Sequence, residues 1–512
     1  MDSTPRIDDQ LKTIKGFDNG RPRKKVTILG AGIAGLAAGY ELTRLGHSVQ
    51  IFEGSNRIGG RIWTHRFDDG TYGELGAMRI PLNHDYTRYY VAQLGLKLRK
   101  FVTAHENLEC FYDIRNIVTR MRDGQTCLYP LFALSPEQQA DRVPPDMFGR
   151  TLRDVIDGLT VEERTSLLSP TVTSERVREL DRISLGEFLR IRAGNGAKEL
   201  IGSSTALDSF FDRALTMFLR DALEQEGAGF HEIQGGMELL PQELGKTLRA
   251  NIQLNTEVTG IHMKTDGKIE IDLVRHGRER HHETCDIVLC TLPFSILRTI
   301  DISPPFSHDK MYAIRNLSYS SSTKVLLHCR QRFWETTYGI YGGASQTDQL
   351  IRATYYPSDN VRVVQAPRPS YIFSSLYSGY TKGEFGAEFQ NVSEGPGVLL
   401  GSYTWGQDAR RLGAMAPEQR AHTAIRLIAR FHPEMEKEGM VDGHASMFWD
   451  SYEWSLGSFS FLQPGEHSTI FEFAIQPEDN VHFAGEHCSL QQAWIQGALV
   501  SALRAVKEIV SR

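Results

Sequence analysis

The stretch KKVTILGAGIAGLAAGYELTRLGHSVQIFEGS, residues 24–55, constrains the fold more than any other part of the chain. VTIL is a short β run, and GAGIAG supplies a G-x-G-x-x-G spacing through Gly30, Gly32 and Gly35. A helical pattern follows to about Leu45, Gly46 closes it, and SVQIFE reads as a second strand. Gly30 allows a tight turn, Gly32 lets a pyrophosphate approach the backbone, and Gly35 lets helix and strand pack closely. Ile33 and Ala34 open the helix, whose N–H groups and dipole stabilise a diphosphate. Glu53 ends the second strand where a ribose hydroxyl binds, and its charge repels the 2′-phosphate of NADP. A lone G-x-G-x-x-G is weak, but inside strand–turn–helix–strand it predicts a dinucleotide site.

The residues that follow, GSNRIGGRIWT from Gly54, favour FAD over NAD. Gly59 and Gly60 let backbone lie against a flat ring, and Arg57 and Arg61 are expected to face phosphates. At 512 residues the chain implies two or three domains. A net charge of -6 gives no electrostatic case for nucleic acid. RPRKK (21–25) reads as a solvated lead-in to the first strand. Six scattered cysteines without a CxxC pair make neither a disulfide scaffold nor a zinc site, and they suit a reducing compartment. His281 and His282 lie in RHGRERHHE, which reads as a hairpin turn rather than a metal site. There is no apolar leader and no membrane-length apolar run. The expectation is a soluble cytoplasmic protein that binds neither nucleic acid nor metal.

With its acidic strand end running into R-x-G-G-R, the sequence resembles the flavin amine oxidase family. The resemblance covers nearly the whole chain and is nearest to the L-amino-acid oxidase branch. It implies a Rossmann-like α/β FAD-binding domain assembled from discontinuous segments, 24–72, 232–318 and 441–512. A mixed-sheet α+β substrate domain takes 73–128 and 319–440, and a helical insertion takes 129–231. The stretch 358–395, with scattered Gly, Pro and Ser, reads as a loop-rich insertion.

The resemblance also implies roles for particular residues. In NTEVTGI (255–261) Val258 offers its backbone to adenine, and in GEHCSLQQAWIQGA (485–498) Gly485, Glu486 and Ile495 contact the cofactor, Glu486 through the ribityl chain. The turn GELGAMRIP (73–81) brings Gly76, Ala77, Met78 and Arg79 to the flavin, with Arg79 binding the substrate carboxylate. Tyr403 in SYTWGQDA bonds the same carboxylate, and Lys324 in SSTKVLL holds a water at flavin N5. Trp494 and Phe459 are opposed aromatic walls, the Ala493 carbonyl lies near the substrate amine, and Trp449 lies close to the flavin. Some monoamine oxidases carry at the Ser458 position a cysteine bonded to the cofactor; serine cannot form that thioether, so noncovalent FAD is expected.

The chemistry agrees with those assignments. Oxidising an α-amino acid needs a carboxylate anchor, a neutral amine and a Cα–H aimed at the acceptor. Arg79 and Tyr403 supply a bidentate cation and a hydroxyl; no strong side-chain base is needed if the amine arrives unprotonated. The leading reading is an FAD-dependent L-amino-acid oxidase, a homodimer, taking an L-amino acid and O2 and releasing 2-oxo acid, ammonia and hydrogen peroxide. Its rivals are an L-amino-acid 2-monooxygenase, an amine or polyamine oxidase, and a non-catalytic flavin-binding scaffold. LDSFFDRALTMFLRD is expected to supply part of the side-chain pocket, with Phe210, Phe211 and Phe218 suiting apolar guests and Asp208 and Asp212 cationic ones.

Overall fold

The computed structural model describes residues 6–224, 229–361 and 395–512, so nearly all of the expected 358–395 insertion lies outside the described residues. A five-stranded parallel sheet runs in the order Ile252–Gln253, Ser48–Phe52, Lys25–Leu29, Ile287–Cys290, Val481–Phe483. Its central strands are almost wholly buried, because helices cover one face and a second sheet with short helices covers the other, and the strands are apolar throughout rather than alternating. Helix Ile33–Arg44 packs against the C-terminal helix Ile495–Ser511, and their apolar sides share one core with Val26, Ile28 and Leu289. Strand order reverses beside Lys25–Leu29, so a crevice opens beyond the carboxyl ends of Lys25–Leu29 and Ile287–Cys290.

The glycine turn sits at that crevice. Gly30 has φ +100° and packs against Thr291, whose hydroxyl donates to the Leu29 carbonyl at 2.8 Å. Gly35 leaves no room at all: a Cβ there would lie 2.1 Å from the Gly30 carbonyl oxygen.

A second, seven-stranded sheet carries the opposite side of the site. Its order is Val441–Phe448, Ser322–Cys329, Gly397–Trp405, Ala353–Tyr355, Ala344–Thr347, Phe111–Ile114, Ile117–Arg120. Val441–Phe448, which the sequence reading groups with the FAD-side segments, instead forms the edge of this sheet, antiparallel to Ser322–Cys329. Its alternation of half-buried and exposed residues suits an edge covered on one face. Helices including Pro144–Asp157, Gly194–Thr205 and Leu215–Glu224 pack into the same large core as this sheet.

A four-stranded sheet, Glu279–Cys285, Ile269–Arg275, Thr256–Met263, Asp301–Ser303, flanks the first. The turn expected in RHGRERHHE is shorter than the sequence suggests. The strand resumes at Glu279, which places His281 and His282 in it. All six cysteines are free, and among the described residues no helix is long and apolar enough to cross a membrane.

Gly35→Ala should be disproportionately harmful for so small a change. The added methyl meets backbone, so it should cost about 1–3 kcal/mol and open the turn. Thermal unfolding and the yellow colour retained after gel filtration check this, and a wild-type midpoint with full colour would contradict it.

Candidate active site

One cavity joins the glycine turn to the seven-stranded sheet. It holds about 1250 Å³ of empty space, its open mouth included. Gly30, Gly32, Ile33, Ala34, Glu53 and Gly54 line it from the first strand–helix–strand unit. No side chain caps the helix that begins at Ile33, so its first N–H groups are left for an anion. Glu53 is buried; its carboxylate accepts from the Ala31 amide at 2.8 Å and from the Ser55 amide and hydroxyl at 3.0 and 2.7 Å. Those bonds fix the carboxylate at the cavity wall, in position to accept further donors.

The next glycine segment contributes Gly59, Gly60 and Arg61 to the wall. Arg57, expected from the sequence to face phosphate, is not among the lining residues of this cavity. It donates to the carbonyls of Ile58 (2.9 Å), Ile62 (3.1 Å) and Gly60, and lies 4.1 Å over the Trp63 ring, splinting the turn from behind. Arg61 does reach the cavity, paired with Glu486 at 2.7 Å. Burial alone would raise the Glu486 carboxyl, but Arg61 and the Ala493 amide outweigh it, and its pKa lies below the ordinary value. Glu486 also accepts from the Ser460 amide and hydroxyl, so it is a buried anion held by several donors. Gly35 packs inside the turn, and Val258 packs into the neighbouring core without lining the cavity.

Lys324 and Tyr403 are direct cross-strand partners on Ser322–Cys329 and Gly397–Trp405, which places both on one face of the sheet. Both line the cavity. A strand lysine is usually solvent-facing, yet Lys324 is 1% exposed. Its Nζ donates to the carbonyls of Gly76 (2.6 Å) and Glu74 (3.1 Å), lies 3.3 Å from Met78 Sδ and 4.4 Å from the Tyr403 ring centre. Burial, helped by the charge of Arg79 and opposed by Glu74, lowers its pKa toward neutrality. Burial raises the Glu74 carboxyl, which accepts from Thr64 and from the Met237 amide. Tyr403 is pushed up to about 12, by burial above all.

Gly76 and Ala77 line the same cavity, and a Cβ at Gly76 would lie 2.1 Å from the Arg61 carbonyl oxygen. The two glycine-bearing segments therefore touch through backbone. Met78 is buried beneath, and Arg79 follows with its guanidinium 5.2 Å over the Phe230 ring. Phe230 in turn stacks on Trp494, at 6.3 Å between ring centres and 24° between planes. Arg79 is not itself a wall residue of the cavity; it lies behind the wall residue Trp494 through Phe230, and its charge acts on both Lys324 and Tyr403. Phe459, Ser458, Trp449, Gly485, Ala493, Trp494 and Ile495 complete the wall. Trp449 is fixed by its indole N–H on the Leu75 carbonyl at 3.0 Å. Ala493 has φ +68°, a left-handed conformation that costs a non-glycine residue about 1 kcal/mol and sets where its carbonyl points.

Sequence reasoning missed three parts of the site. Thr291, Leu292 and Pro293 line the cavity at the carboxyl end of Ile287–Cys290, where a parallel strand beside the switch point places ligand-facing residues. Tyr452 and Trp454 cover another part of it, Trp454 so close to Gly54 that a Cβ there would clash with the ring. Phe230 bridges Arg79 and Trp494 without any local motif. The proposed side-chain pocket divides. Phe210 packs on Trp405, which stacks on Tyr403, so it borders the site. Phe218 packs instead on Phe148 in the helical core, Phe211 against Gly186, and Asp208 is paired with Arg352.

Comparison with known proteins agrees with this geometry. Residues 33–510 match the family of flavin-containing amine oxidoreductases. The chain is 35% identical over 501 residues to a flavin-dependent L-tryptophan oxidase of Lentzea aerocolonigenes, covering 96% of this chain and 98% of that protein. It is 30% identical over 508 residues to an L-amino-acid oxidase of Siganus canaliculatus, covering 98% and 88%. The solved structure of cyclohexylamine oxidase from Brevibacterium oxydans IH-35A shares the fold at TM-score 0.71 and 18% identity, covering 96% of this chain and all of that one. The chain belongs to the flavin-containing amine oxidoreductase family.

Proposed function

We propose that this protein is an FAD-dependent L-amino-acid oxidase, converting L-amino acids and O2 to 2-oxo acids, ammonia and hydrogen peroxide. The observation that carries the reading is the cross-strand pair of buried Lys324 and Tyr403 on the wall of a glycine-lined cavity, with Arg79 beside the Phe230–Trp494 stack that borders it. Relatives named as L-tryptophan and L-amino-acid oxidases support it over nearly the full chain.

FAD, when bound, supplies the two-electron acceptor for the Cα–H and amine. Gly30, Gly32 and the helix start at Ile33 would hold its diphosphate, and Glu53 its ribose. Arg79 and Tyr403 would anchor the substrate carboxylate, and Trp494 and Phe459 would flank the reacting carbon. A neutral Lys324 amine uses both protons on the Gly76 and Glu74 carbonyls and keeps a lone pair for a water; a charged one carries a third proton. We further read the FAD as noncovalent, because Ser458 offers no thiol, and the protein as a cytoplasmic homodimer.

Arg79→Met tests the reading. It removes two charged hydrogen bonds, each about 1.5–3 kcal/mol, so kcat/KM for L-amino acids should fall at least ~100-fold while FAD stays bound. Arg79→Lys should recover only part, having charge without the fork. Unchanged kcat/KM in Arg79→Met would refute the anchor. Product analysis of the wild type separates the rival: a 2-oxo acid is expected, and an amide would make the protein a monooxygenase.

Acid precipitation should leave the yellow colour in the supernatant, and colour fixed in the pellet would contradict noncovalent binding.

Lys324 also sets a pH dependence. Its cationic form favours negative charge developing beside it, and burial brings loss of that charge down to about pH 7. kcat/KM for O2 should therefore fall as pH rises through neutrality, and Lys324→Met should be low and flat across the same range. A neutral-pH limb that survives in Lys324→Met would assign it to another group.

A further inference from the structure

The four-stranded sheet turns a polar face away from its core, and that face gathers metal-ligating groups. Gly260 and His262 lie two apart on Thr256–Met263, and Glu270 and Asp272 two apart on Ile269–Arg275. Register pairs Gly260 with Asp272, His262 with Glu270, and Asp272 with His282 on the third strand. The side chains therefore converge from three strands onto one patch.

Asp272 is its centre. One carboxylate oxygen is 2.9 Å from His262 Nε2 and the other 2.6 Å from His282 Nδ1. Glu270 places an oxygen such that its ligand atom and those of Asp272 and His282 all lie within 4.8 Å of one another. Neighbouring ligands around an ion bound at 2.0–2.1 Å are ~2.9–3.4 Å apart, so small side-chain rotations bring these atoms onto one coordination sphere. The patch is open to solvent, with side-chain exposures of 19% for His262, 32% for Asp272 and 62% for His282. Lys264 occupies only one Glu270 oxygen, at 2.8 Å.

Gly260 adjoins a register shift in the pairing of Thr256–Met263 with Ile269–Arg275 and lies outside the left-handed region. A Cβ at this position would lie 2.5 Å from His262 Nε2 and 2.8 Å from Asp272 Oδ2. The absent side chain is the space in which imidazole and carboxylate meet.

We propose that Glu270, Asp272 and His282 form a surface site for a borderline divalent cation of the zinc class, with His262 holding the second Asp272 oxygen. An imidazole nitrogen with carboxylate oxygens suits such an ion better than Mg²⁺ or Ca²⁺, which favour all-oxygen shells. The ion would tie two strands of the sheet together. This is a site apart from the flavin cavity, and it reverses the sequence reading of RHGRERHHE as a metal-free turn.

The test uses FAD-loaded enzyme stripped with EDTA and dialysed against Zn²⁺ alone, in wild type and His262→Gln/His282→Gln. The wild type should take up one Zn²⁺ more per chain than the double variant at about a tenfold excess of ion, and its unfolding midpoint should rise with Zn²⁺ where the variant's does not. Asp272→Asn, which keeps both imidazoles, should weaken binding at least ~tenfold. Flavin absorbance equal to wild type reports that each variant is folded. Equal uptake by wild type and both variants, or no uptake by wild type, would overturn the proposal; it would leave the cluster as two His–Asp hydrogen bonds across the sheet.

Discussion

A lysine amine buried between two main-chain carbonyls holds the two halves of the site in register. Lys324 belongs to the seven-stranded sheet, and the carbonyls it bonds, Glu74 and Gly76, belong to the turn that presses its backbone against Arg61. Taking an amine out of water is expensive unless its protons are satisfied. Here the satisfaction comes from backbone of the other segment, so neither the sheet nor the turn can shift without leaving the amine unpaired. Tyr403 is placed by the same contact, as the direct cross-strand partner of Lys324.

That arrangement also settles how charge is distributed. Arg61 is neutralised by Glu486 and several donors surround that carboxylate. Lys324 is driven toward neutrality by burial and by Arg79. Arg79 and Arg213 both act on Tyr403 as permanent cations, because a guanidinium cannot be titrated away.

What the sequence made legible was whatever depends on backbone proximity. Gly35 and Gly76 each lie where a Cβ would fall 2.1 Å from a carbonyl oxygen, and both stand in motifs that can be read by eye. Lys324 and Tyr403 were legible only through resemblance, since composition favours a solvent-facing lysine and several tyrosines share that sheet. The contacts of Arg57 with nearby carbonyls and the Trp63 face are not legible in its charge or spacing. Phe230 and Trp454 were invisible because they meet Arg79, Trp494 and Gly54 across long sequence separations, and no spacing records such contacts. Val441–Phe448 was assigned by its position in the chain, but strand pairing follows the edge that needs covering.

The central claim is that the cavity recognises the carboxylate of an α-amino acid. Anaerobic mixing of the wild-type, FAD-loaded protein with L-tryptophan or L-phenylalanine, and separately with tryptamine or phenethylamine, measures it through bleaching of the yellow flavin absorbance. Fast bleaching by at least one of these amino acids, with rates at least ~100-fold lower for the matching amine, is the predicted result. Equal bleaching by the amines, or none by any L-amino acid, would contradict the account.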